Sequence, residues 1–202
     1  MQIFEHEKKN MPNEADSTYI RNIITIAALL HDVPDHKYDV DGSLKETCAA
    51  FITSTIDART SDFIMRVIDS ISFSKENKMR QQGMSQDFDA SKSAAYAEDV
   101  IRGYLGAAIV SSDVAMFIRN IVSDADKILA LGKVGYDRMR EYTLEVHPEL
   151  ANDEIKLTEH MRRHADEKLF RLVSEHFIRT EYARGLAAKE EQILRDLLAK
   201  KQ

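Results

Sequence analysis

His31 and Asp32 stand side by side at the end of an apolar helical run, Ile23-Ile24-Thr25-Ile26-Ala27-Ala28-Leu29-Leu30, and acids recur far downstream in Asp124-Ala125-Asp126. An imidazole beside a carboxylate offers one nitrogen and one oxygen donor, a mixed set that suits a borderline divalent cation and leaves positions open for water and substrate. Two neighbouring donors complete such a site only when a distant acid folds onto them. The remaining histidines carry a weaker signal. His160 and His164 have the i, i+4 spacing that can bind zinc on a helix face, but the glutamate of the metalloprotease motif is not between them, and they are read as structural. Asp124 has a second use open to it, as a helix cap.

These residues need helices to position them, and the sequence is rich in helix formers. With only seven Gly and three Pro among 202 residues, few segments are punctuated by tight turns, and an all-α fold is expected. Met1 to Asn10 reads as a short helix ended by Pro12. Asp16 or Ser17 caps the next, which carries Tyr19, Ile20, Ile23, Ile24, Ile26, Ala27 and Leu30 nearly all round and is expected in the core, with Pro34 stopping it just past the His-Asp pair. Asp39 to Gly42 forms a turn, and Ser43 opens a helix to about Arg59. Thr60-Ser61-Asp62 is expected to cap a helix from Phe63 to Ile71. The polar stretch 75–99 reads as a long loop, a lid over the pocket. Helix resumes near Val100 and runs through Val114 to Val122 into the acid pair. Gly132 and Gly135 mark a close backbone approach, Pro148 a break, and Gly185 a division in the charged C-terminal helices. The whole chain, 1–202, is expected to be one domain.

Composition narrows the function classes. There are 28 Lys and Arg against 34 Asp and Glu, a formal net charge of −6, which argues against a nucleic-acid coat but leaves room for a small anionic substrate beside a cation. Cys48 stands alone, so no internal disulfide forms, and the charged start is unlike a secretory signal. No apolar stretch reaches membrane-spanning length. A cytoplasmic protein without membrane contact is expected.

Three segments in order, Ala27-Ala-Leu-Leu-His31-Asp32-Val-Pro-Asp35-His-Lys37-Tyr38, Ile71-Ser-Phe-Ser-Lys75 and Ile121-Val-Ser-Asp124-Ala-Asp126-Lys-Ile-Leu-Ala-Leu-Gly132-Lys-Val-Gly135, resemble the HD-domain metal-dependent phosphohydrolases. Within that superfamily the chain is most similar to a small bacterial-type group that includes a nucleotide pyrophosphohydrolase. Glu159-His160 through Lys168-Leu169 to Arg184 is similar to that group's closing helices, so the resemblance covers nearly the whole chain.

The resemblance implies a compact helical HD fold and a divalent metal, Mn²⁺ or Mg²⁺, held by His31, Asp32 and Asp126. It implies that Asp35 orients or deprotonates the attacking water, and that Lys37, Lys75 and Arg138 meet the phosphates of a nucleotide. Leu129 departs from the family, which commonly carries an acid there. The family's first-helix His lies in a His-x-x-Arg-Val-like stretch that, by this alignment, falls just upstream of Met1. The chain is therefore expected either to begin after that ligand or to use His6, 25 positions before His31, in its place. Two alternatives accompany this reading: a catalytically impaired HD-fold binding or assembly module, suggested by the long apolar stripe of the C-terminal helices and open to homodimerisation, and a phosphodiesterase.

Overall fold

The computed structural model describes residues 1–11, 16–34, 39, 41–82, 90–106 and 109–199. Among these the regular structure is helical throughout, with no strand, which gives the all-α class expected from composition. No described helix is long and apolar enough to cross a membrane. The chain forms two compact units, residues 1–123 and 124–202, divided within one helix.

The first unit begins with α1 (Gln2–Glu7), followed by a 3₁₀ turn and α2 (Ser17–Leu30). Asp16 caps α2 as expected, its carboxylate accepting from the backbone N–H groups of Thr18 at 2.8 Å and Tyr19 at 3.2 Å. The helix is less enclosed than its sequence suggests. Ile20, Ile23, Ile24 and Ala27 are buried along one face, whereas Leu29 is 75% exposed. An amphipathic stripe, not an all-round core helix, is the outcome.

The next two helices are capped by residues other than those expected. α3 (Ser43–Thr55) is opened not by the Ser43 side chain but by Asp39, which accepts from the N–H groups of Leu44 and Lys45, while Gly42 supplies a left-handed turn at φ 80°. α4 (Ala58–Ser70) starts earlier than expected because Asp57, not the Thr60-Ser61-Asp62 run, caps it: its two oxygens accept from the Thr60 N–H at 2.9 Å and the Thr60 hydroxyl at 2.7 Å. The hydrogen bonds of Asp57 hold its carboxyl below the usual range, with the Thr60 N–H the leading cause.

The stretch expected to be a loop over 75–99 is helical at both ends. It belongs to α5 (Phe73–Gln82) and α6 (Ala90–Leu105), and the segment between them lies outside the described residues. What propensity and periodicity missed is that α5 buries polar groups. Glu76, fully buried, accepts from Arg80 at 2.9 Å and from Arg119 of α7 (Ser112–Leu129) at 2.7 Å, and Arg119 also donates to the Ser70 carbonyl. Phe63, Ile64, Val67, Ile101 and Ile118 are buried in the same unit, and Phe4 meets Phe117 edge-on at 6.4 Å between ring centroids.

The second unit starts with the end of α7 and continues through α8 (Gly132–Val146), a 3₁₀ segment (Pro148–Asn152), α9 (Glu154–His164), a single π turn, α10 (Phe170–Ser174) and α11 (Glu181–Ala199). The close approach read from Gly132 and Gly135 is present. A Cβ at Gly132, whose φ is +63°, would fall 1.9 Å from the Glu190 carboxylate, and one at Gly135 would fall 2.0 Å from the Ala130 carbonyl oxygen. Gly185 does not divide the C-terminal helices: α11 runs unbroken across it. The break lies at 175–180, where His176 turns left-handed at φ 56° and Phe177 and Ile178 both donate to the Leu172 carbonyl to close α10. Arg162 satisfies a carbonyl at the far end of α11, donating to Leu198 at 2.9 Å.

Candidate functional site

The His-Asp pair sits in the turn that leaves α2, where Val33 donates to the Leu30 carbonyl. His31 Nδ1 lies 2.8 Å from the Ala28 carbonyl oxygen. A carbonyl only accepts, so Nδ1 carries the hydrogen and the outward nitrogen is Nε2, which stands 3.3 Å from Asp32 Oδ1. The His31 side chain is 19% exposed and that of Asp32 is 62% exposed. The two groups form an ion pair when the imidazole is protonated. Backbone anchoring of the opposite ring nitrogen is also how metal-binding histidines are commonly oriented.

The other expected site residues lie as follows. His6 is exposed on α1. Asp35 and Lys37 fall outside the described residues. Lys75 is exposed on α5, 3.2 Å from Asp69 of α4. Asp126 is half-buried near the end of α7, and Arg138 is exposed on α8, both in the second unit. Among the described residues no group of three or more His, Cys, Asp or Glu side chains is placed to hold a metal ion. His31 and Asp32 stand together as a pair.

Asp124, the other acid of the downstream motif, is committed elsewhere. It is fully buried, and its oxygens accept from the backbone N–H of Arg179 at 3.0 Å, the N–H of Thr180 at 2.7 Å and the Thr180 hydroxyl at 2.8 Å. These donors lie at the start of α11, so Asp124 caps that helix across 55 residues of sequence. Burial pushes its carboxyl up from the ordinary value, against the pull of those hydrogen bonds and of Lys127. The cap reading of Asp124 holds, with a partner that helix periodicity could not identify.

Two clusters had no sequence signal. Asp69 gathers Lys45 at 2.8 Å, Lys75 at 3.2 Å and the Tyr104 hydroxyl at 3.2 Å, from α3, α5 and α6. Burial opposes its ionisation, but the Lys45 and Lys75 ammonium groups outweigh that and hold the carboxyl below the usual range. In the second unit, His147 and His160 bring their rings to 4.6 Å between centroids.

Compared with known proteins, the chain matches no family model, no curated protein and no solved structure.

Proposed function

We propose that this protein is a metal-dependent phosphohydrolase of the HD type, acting on a small phosphorylated substrate, a nucleotide by the sequence resemblance. The observation that carries the reading is the anchored His31 ring, whose Nδ1 hydrogen bond to Ala28 presents Nε2 beside Asp32 in a solvent-accessible turn. His31 and Asp32 would hold the cation, with Asp126 and His6 the further donors that the sequence offers. A bound Mn²⁺ or Mg²⁺ supplies Lewis-acid polarisation of a phosphoryl oxygen and lowers the pKa of coordinated water.

The chain's own groups do the remaining work. The Ala28 carbonyl fixes the tautomer of His31, so the donor nitrogen is set before any ligand arrives. Asp35 takes a proton from the attacking water, and Lys37, Lys75 and Arg138 neutralise phosphate charge as it builds in the transition state. Lys75 enters this role from an ion pair with the half-buried Asp69, in which the lysine itself is 56% exposed and open to exchange for phosphate.

The test is release of phosphate or pyrophosphate from a panel of nucleoside mono- and triphosphates with added Mn²⁺. His31→Ala and Asp32→Asn are expected to lower turnover about 100-fold or more, the upper range for disrupting a metal site. Turnover no greater than that of His31→Ala across the panel overturns the proposal. The binding-module alternative draws on the exposed Tyr96, Val100 and Tyr104, spaced i, i+4, i+8 on α6. Metal analysis of the protein against its His31→Ala variant separates the two, because only the hydrolase requires a stoichiometric divalent ion at the His31 pair.

A further inference from the structure

We infer that His147 and His160 form a second metal site, a two-imidazole chelate for a late first-row divalent transition ion, independent of the His31 pair. His147 lies between α8 and the 3₁₀ segment that begins at Pro148, and His160 lies on α9. Thirteen positions apart in sequence, the two rings meet with centroids 4.6 Å apart and planes tilted by 55°.

Three observations favour a cation there. The first is distance. With metal–nitrogen bonds of about 2.0 to 2.1 Å, rings whose centroids lie 4.6 Å apart are close enough for one ion to reach a nitrogen of each. The second is orientation. His147 Nδ1 stands 3.2 Å from Glu149 Oε1, and a carboxylate only accepts, so Nδ1 carries the hydrogen and Nε2 is left as the donor. Carboxylate–imidazole–metal relays of this form fix the tautomer and raise the basicity of the ligand. The third is access: the His147 side chain is 38% exposed and His160 is half-buried, which leaves a path for the ion and room for water to complete its shell.

His164, one turn further along α9, is a neighbour and not a donor in this assignment, in keeping with the absence of a three-ligand group among the described residues. Glu149 orients His147 and does not itself ligate.

Cu²⁺ is the decisive probe, because it binds nitrogen sites more tightly than the other divalent ions of its row. The full chain carrying His31→Ala, which removes the other candidate site, is titrated with Cu²⁺ by equilibrium dialysis and by electron paramagnetic resonance. One equivalent bound with coupling to two nitrogens is expected. His147→Ala and His160→Ala each weaken binding more than about tenfold, Glu149→Gln weakens it about tenfold, and His164→Ala leaves it unchanged. Circular dichroism confirms that each variant keeps its helices, and His147→Asn repeats the test with a polar side chain of smaller change. Equal affinity in the His147→Ala, His160→Ala double variant overturns the inference. So does dependence on His160 and His164 without His147, which would move the site to the i, i+4 pair.

Discussion

Asp32 and Asp124 are the same residue type, and the sequence offers both as oxygen donors, yet the fold uses them in opposite ways. Asp124 is fully buried and accepts hydrogen bonds from two backbone N–H groups and a hydroxyl at the head of α11. Asp32 is exposed in a turn with one imidazole nitrogen 3.3 Å away. The buried acid is bound up in holding a helix end that would otherwise leave donors without acceptors in the interior. The exposed acid contributes little to the fold and lies mostly in solvent beside the His31 ring. Glu76 and Asp69 repeat the contrast: Glu76 is enclosed between two guanidinium groups, whereas Asp69 draws on lysines that remain about half exposed.

The contrast is broken or sharpened by substitution. Glu76→Ala is expected to have the largest effect, a loss of about 3 to 5 kcal/mol, because it leaves the buried Arg119 and Arg80 without the carboxylate they share. Urea unfolding of the purified variant measures it, and a loss below about 1 kcal/mol would mean the cluster is open to water. Next is Asp124→Ala, at about 2 to 3 kcal/mol for the loss of its charge-assisted bonds, set against Asp32→Ala at no more than about 0.5 kcal/mol. Equal losses in those two variants would erase the distinction drawn between them.

The smallest effect is a pH dependence. Burial is the leading cause that lowers the His164 pKa from the ordinary 6.5, with Lys168 adding to it. The folded state therefore binds fewer protons at this residue than the unfolded chain does. Its stability is fully present above the ordinary value and is lost progressively as pH falls below it. His164→Asn is expected to make the decline in melting temperature between about pH 6.5 and 5 shallower.

Much of this architecture was legible beforehand. The all-α class followed from scarce Gly and Pro, Asp16 was recognisable as a cap from its place before an apolar periodic run, and Gly132 and Gly135 announced a close approach that the Glu190 and Ala130 atoms confirm. Legibility failed where a polar residue was buried. The 75–99 stretch looked like a loop because Glu76 and Arg80 carry no apolar periodicity, although they form the inner face of α5 once Arg119 arrives from α7. Gly185 looked like a break because intrinsic propensity counts against glycine in a helix, but α11 passes through it and the chain turns instead at His176.

By itself, the sequence determined the all-α class, where Asp16 starts a helix, and that an imidazole and a carboxylate stand together after α2. Those are local properties, set by propensity, capping and covalent adjacency over a few residues. Only tertiary structure decided that Asp124 serves α11, that Glu76 neutralises Arg119, and that His147 meets His160. Each of those depends on groups brought together across at least a dozen positions, where pairing is chosen by burial and hydrogen-bond satisfaction and no local pattern records the partner.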